Sequence, residues 1–163
     1  MSEAEFLEHI NSNRKTIYHL INIYVQNVEE REDLKQEIIF QAWKSKDSFR
    51  YQSSFNTWLY KLSLFTIITA KKKQSKMILV DLKDAHSIEN EENTKNDQSE
   101  ILYKQMTQLD YLSRTILTMH LDGFSNPEIA DFIGITINNL NVKLHRIKEK
   151  IINSLKEQIH GTR

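Results

Sequence analysis

Apolar side chains recur three and four residues apart along most of this chain, and they rarely alternate one by one with polar side chains. Leu34, Ile38 and Ala42 keep that step in one stretch; Ile137, Leu140, Leu144, Ile147 and Ile151 keep it in another. Such spacing gathers the apolar groups on one face of a helix. It predicts helices near residues 2–26, 30–46, 53–73, 100–121, 125–133 and 137–158. Three glycines and one proline leave few turn formers, so the predicted class is all-α. Residues 77–99 break the pattern, being polar, mainly acidic and weakly periodic. A segment of that kind buries too little apolar surface to fold by itself. The chain is therefore expected to hold two small helical domains, over 1–76 and 100–163, joined by a flexible acidic linker over 77–99.

The C-terminal domain spells a helix-turn-helix in its local chemistry. Ser125 and Glu128 have capping-box spacing, with Phe124 and Ile129 at hydrophobic-staple positions around them. Pro127 falls in the first turn, where its fixed φ and missing amide hydrogen cost little. Gly134 can take a positive φ at the end of this short helix, and Thr136 stands where it can cap the next. The small Ala130 and the interior Leu140 suit a tight crossing of the two helices. Away from its apolar face, the second helix carries Asn138, Asn139, Asn141, Lys143, Arg146 and Lys148. Amides and cations of this kind read base edges and phosphates in a major groove that admits a helix. The same polar face would also serve as a merely solvated surface.

Charge is balanced in total but unevenly placed. With 22 acidic and 22 basic residues among 163, the chain is not uniformly coated with positive charge for nucleic acid. The charges are segregated: Lys71, Lys72, Lys73 and Lys76 cluster, and residues 81–100 are mainly acidic. The absence of cysteine removes disulfides and thiolate metal sites. No apolar run reaches membrane-spanning length, and the start Met1-Ser2-Glu3-Ala4-Glu5 has no signal-peptide pattern, so a cytoplasmic protein without membrane insertion is expected. The six histidines are dispersed without zinc spacing, and neither a phosphate-cradling glycine loop nor a nucleophile elbow occurs. Neither enzyme activity nor a cofactor or metal is expected.

Upstream, residues 29–43 form an amphipathic pattern in which Asp33, Gln36, Glu37 and Phe40 fall to one side of the apolar set. Acids in a first turn favour the helix dipole, which accounts for much of the charge but not for Phe40 among polar neighbours. A partner-docking face fits that arrangement. The stretch from Ser48 to Lys61 interleaves aromatic with small polar and basic residues, a composition that can stack unpaired bases while contacting phosphates. Phe55 and Trp58 could equally belong to the core.

Taken in order, these pieces resemble the extracytoplasmic-function sigma factors of bacterial RNA polymerase. The resemblance rests on Glu32-Asp33-Leu34-Lys35-Gln36-Glu37 leading to Trp43, on Ser48-Phe49-Arg50 followed by residues 53–61, and on Ser125 to Arg146. It implies a promoter-recognition subunit that directs transcription initiation. Asp33, Gln36, Glu37 and Phe40 would dock on the clamp helices of the polymerase's large subunit, whose flap is a further contact. Phe49, Arg50, Ser54, Phe55, Trp58, Tyr60, Lys61, Lys71, Lys72 and Lys73 would bind and help melt the -10 element. Asn138, Asn139, Asn141, Lys143, Arg146 and Lys148 would read the -35 element, and an anti-sigma protein is implied as a further partner. Two positions depart from the family pattern. Tyr51 stands where the family's loop has glycine, and Ser63-Leu64-Phe65 replaces an Ala-x-Asn step. Phe65 cannot make asparagine's polar contact and is expected to pack inside, which leaves the -10 preference open. A polymerase-independent helix-turn-helix repressor or activator is the rival reading; it explains the C-terminal domain but not the order of residues 33–61.

Overall fold

The computed structural model describes residues 1–81 and 98–160. Among these, all regular elements are helical, and the chain divides into two compact units, Met1–Asn93 and Thr94–Arg163. The first contains α1 (Glu3–Ser12), α2 (Arg14–Tyr24), α3 (Val28–Ser45), a 3-10 turn (Lys46–Ser48) and α4 (Phe55–Asp81). In the second are α5 (Gln98–Thr107), α6 (Tyr111–Leu121), α7 (Asn126–Ile133) and α8 (Ile137–His160).

The N-terminal unit packs α2, α3 and α4 against one another around Leu20, Ile21, Ile38, Leu59, Leu64 and Ile67. Each such side chain, fully removed from water, contributes about 1.5 to 3 kcal/mol. The expected helix over 2–26 is instead two helices. Asn13 breaks it by donating its side-chain amide to the His9 carbonyl at 2.7 Å while its backbone leaves helical geometry. Apolar periodicity continues across this break, so the pattern alone reads as one helix. Asn27 then caps α3 by accepting from the Glu30 amide at 3.0 Å.

α4 runs to Asp81, beyond the helix end expected at 73 and into the start of the expected linker. No proline or glycine lies between Phe55 and Asp81 to stop it. Residues 82–97 of the expected linker lie outside the described residues, and 98–99 already belong to α5.

In the C-terminal unit, α8 packs on α6 and α7 through Ile116, Met119, Ile129 and Leu140. The helix expected over 100–121 is also two. Asp110 starts α6 by accepting from the Ser113 amide at 2.9 Å and from the Ser113 hydroxyl at 2.7 Å, and these hydrogen bonds, the amide's first, hold its carboxyl below the usual Asp range. Arg114 ties the intervening turn together. Its Nε donates to the Met106 carbonyl at 3.0 Å, and one terminal nitrogen donates to the Thr107 and Leu109 carbonyls at 2.6 and 3.0 Å.

Candidate nucleic-acid interface

The helix-turn-helix forms as its local chemistry dictates. Ser125 Oγ accepts from the Glu128 amide, and Glu128 accepts from the Ser125 amide at 2.8 Å, a reciprocal box with Pro127 in the same first turn. Gly134 adopts φ +81, letting its amide and that of Ile135 both donate to the Ala130 carbonyl, at 2.9 and 3.0 Å. A Cβ built there meets nothing within 4 Å, so backbone conformation rather than space calls for glycine. Thr136 Oγ1 accepts from the Asn139 amide at 3.2 Å and starts α8.

On α8 the buried face is Leu140, Leu144, Ile147 and Ile151. Asn138, Asn139, Asn141, Arg146 and Lys148 are exposed and Lys143 is half-buried, yet the six do not line one face. Asn139, Lys143 and Arg146 follow at steps of four and three and share one edge. Asn141 and Lys148, seven apart, share the opposite edge. The Asn141 side-chain oxygen accepts from Asn126 of α7 at 2.8 Å, so that amide already helps to fix the crossing. Lys148 lies toward α6: burial first, then this ammonium, push the His120 pKa below the ordinary imidazole value. The outward centre of the helix belongs to Asn138, Val142 and His145. Steps of four and three from Asn138 would have found the last two in the sequence. His145 faces Glu149 at 3.3 Å.

In the N-terminal unit Asp33, Gln36, Glu37 and Phe40 are all exposed on α3, opposite the buried Leu34, Ile38 and Ala42. Gln41 donates to Glu37 at 2.8 Å, and Phe40 is 57 % exposed. An apolar ring left in water one turn beyond two carboxylates and an amide is a surface suited to another protein.

The residues expected at the -10 element separate into two groups. Phe49, Phe55 and Tyr60 are buried, which corrects their expected place on a DNA-contacting surface. Phe55 meets Phe6, Phe49 and Trp58 with ring centroids 6.3, 5.5 and 5.2 Å away and stacks on His9 at 4.7 Å. These rings form the floor beneath the loop 49–54. Ser54 is exposed, and its hydroxyl accepts from the Thr57 amide at 3.1 Å, capping α4. Lys71 is the second correction: it is buried, paired with Glu30 of α3, and within 3.4 Å of Gln74. It therefore holds α4 to α3 instead of offering its charge to DNA.

Arg50, Lys72 and Lys73 remain exposed, with Trp58 and Lys61 half-buried. Phe65, expected inside, is 66 % exposed. It lies on the side of α4 opposite the buried Leu59, Ser63 and Ile67. Tyr51 adopts φ +56, the only non-glycine positive φ among the described residues, with its ring 4.7 Å from that of Phe49. The loop thus keeps, with a tyrosine, the left-handed backbone for which glycine is suited.

Two family models match the chain: Sigma-70 region 2 over residues 9–77, and Sigma-70, region 4 over residues 99–151. The RNA polymerase sigma factor SigV of Bacillus subtilis is 27% identical over 140 residues, spanning 84% of this chain and 82% of that protein. The ECF RNA polymerase sigma-E factor of Escherichia coli is 28% identical over 142 residues, spanning 78% of this chain and 74% of that protein. Among solved structures, the sigma factor RpoE in complex with the anti-sigma factor NepR from Bartonella quintana shares the fold with TM-score 0.71 and 19% identity, over 93% of this chain and 97% of that one. CnrH in complex with the cytosolic domain of CnrY gives TM-score 0.64 and 16% identity, over 95% and 90%.

Proposed function

This chain belongs to the sigma-70 family, in its extracytoplasmic-function group, and from that premise we propose how its surfaces divide the work of promoter-specific initiation. It is an RNA polymerase sigma factor, an initiation subunit and not an enzyme. The observation that carries the division is the presence of both region 2 and region 4 in one chain, in that order. Residues 1–76 act as the domain for core polymerase and the -10 element, 77–99 as the connector, and 100–163 as the -35 domain.

Asp33, Gln36, Glu37 and Phe40 dock on the polymerase's large subunit; their shared exposure on α3 supports this. Arg50, Trp58, Lys61, Lys72 and Lys73 face the opened -10 strand across the loop and α4. Asn138, Asn139, Lys143 and Arg146 meet the -35 duplex, joined by Val142, whose methyls suit a thymine methyl. Asn141 and Lys148 flank this surface, where Lys148 can reach a phosphate. The chain works in the cytoplasm beside polymerase; among the described residues no helix is long and apolar enough to cross a membrane. An anti-sigma protein that covers these faces is its regulatory partner.

Energetics explain why the work is shared. Taking a base out of a duplex costs a few kcal/mol, and stacking it on an aromatic ring returns about 1 to 3 kcal/mol. A neutral chain with a small contact surface has little surplus. Docking on polymerase and holding two spaced DNA elements at once raises the effective concentration of each contact. Titrating core polymerase with Asp33→Arg and Glu37→Arg variants tests the docking face. Weakened core affinity with unchanged helicity is expected; wild-type affinity in both would remove this interface.

A further inference from the structure

Phe65 is a large apolar ring held in water at the middle of a long helix, with 66 % of its surface exposed. The core does not need it there, because Leu59, Leu64 and Ile67 already fill the inner face of α4. Its neighbours on the outer face are Trp58 and Lys61, seven and four residues before it, and Lys72, seven after it. No carboxylate occurs from Phe55 to Val80, so the α4 sequence supplies only positive charge around the ring. Ring and cations in one stripe match the design of single-strand binding surfaces, where bases stack and phosphates are neutralised alongside. The axial rise from Trp58 to Phe65 is about 10 Å, the depth of roughly three stacked bases.

Building on the sigma-factor reading above, we infer that Phe65 stacks on an unpaired base of the opened promoter strand while Lys61 and Lys72 hold the adjacent phosphates. An aromatic face accepts any base, whereas an amide at the same position would select by hydrogen bonding to a base edge. Phe65 therefore exchanges base selectivity at this point of the -10 element for stacking affinity. A protein partner would suit an exposed ring less well here, since nothing acidic lies along α4 between Lys61 and Lys72 and the only apolar side chains there beside Phe65 that are not buried are the half-buried Leu62, Ile68 and Ala70.

The test uses the full chain assembled with core polymerase and a fork DNA whose unpaired strand carries the -10 element of a promoter found by run-off transcription. Phe65→Ala should weaken fork binding roughly five- to hundredfold. Phe65→Trp should restore it, and Phe65→Leu should not. A single abasic site scanned along the unpaired strand should cost the unaltered chain the same affinity at one position, to which Phe65→Ala is indifferent. Full rescue by Phe65→Leu, an equal loss in core affinity, or an abasic scan identical for both proteins would overturn the inference. Failure of the unaltered chain to bind core polymerase would instead strike at the sigma-factor reading itself.

Discussion

Arg114 offers the sharpest test of how the C-terminal unit is held together. It is buried, with 8 % of its surface exposed, and it donates to three carbonyls of the turn between α5 and α6. Hydrogen bonds from a charged donor contribute about 1.5 to 3 kcal/mol each, which would put three of them at roughly 4.5 to 9 kcal/mol. Removing the charge also removes its desolvation cost, and the half-buried Thr107 can recover a water. Arg114→Met, which keeps the stem, should therefore destabilise the unit by about 2 to 4 kcal/mol. A domain of this size is stable by roughly 3 to 10 kcal/mol in total, so the loss is severe. Hydrogen exchange on the full chain would read it directly: amides of Ile116 to Met119 should exchange about thirty- to thousandfold faster, at 1.4 kcal/mol per tenfold. Those of α2 serve as the internal control. Arg114→Lys should fall between, since an ammonium cannot span the three acceptors as a planar fork does. Less than about threefold acceleration in Arg114→Met would mean that these three hydrogen bonds do not hold the unit together.

Three further outcomes follow from the N-terminal unit. Lys71→Met should lower its stability by about 1 to 3 kcal/mol in urea titration and leave the salt dependence of holoenzyme binding to DNA unchanged, because its partner is Glu30. Lys72→Met should do the reverse; identical behaviour of the two would erase the distinction drawn between them. At φ +56, Tyr51→Gly should be more stable than Tyr51→Ala by about 1 kcal/mol, since both lose the ring but only glycine accepts the left-handed backbone freely. Equal midpoints in chemical denaturation would mean that the loop relaxes to another conformation. Ser63→Ala should stabilise by about 1 kcal/mol, because the Ser63 hydroxyl is buried without a hydrogen-bond partner; a loss of stability would show that the hydroxyl is satisfied.

The helix-turn-helix was legible because its signals are local. Ser125, Pro127, Glu128, Gly134 and Thr136 act within four residues of their partners, and each performs the step that its chemistry suggests. The breaks at Asn13 and Asp110 were not legible from periodicity, since apolar spacing runs on through both while a single side chain redirects the backbone. The role of Lys71 is hidden in the sequence for a different reason. Within a run of three lysines nothing marks the one that meets a carboxylate 41 positions earlier; only the packing of α4 on α3 decides it. For Phe55 and Tyr60 the aromatic content was plain, but whether a ring faces core or water depends on the neighbouring helices. Phe65 is the converse case. Its phase, opposite Leu59, Ser63 and Ile67, was present in the sequence, and hydrophobicity alone suggested the wrong side.

Whether the chain directs initiation is decided by run-off transcription with purified core polymerase. Fragments of the source genome serve as templates, and start sites are mapped with and without the chain. A sigma factor should give new, discrete starts that require the chain, share upstream -10 and -35 elements at fixed spacing, and disappear with Asp33→Arg. Absence of any chain-dependent start, or tight site-specific binding by the free protein that core polymerase does not alter, would contradict it.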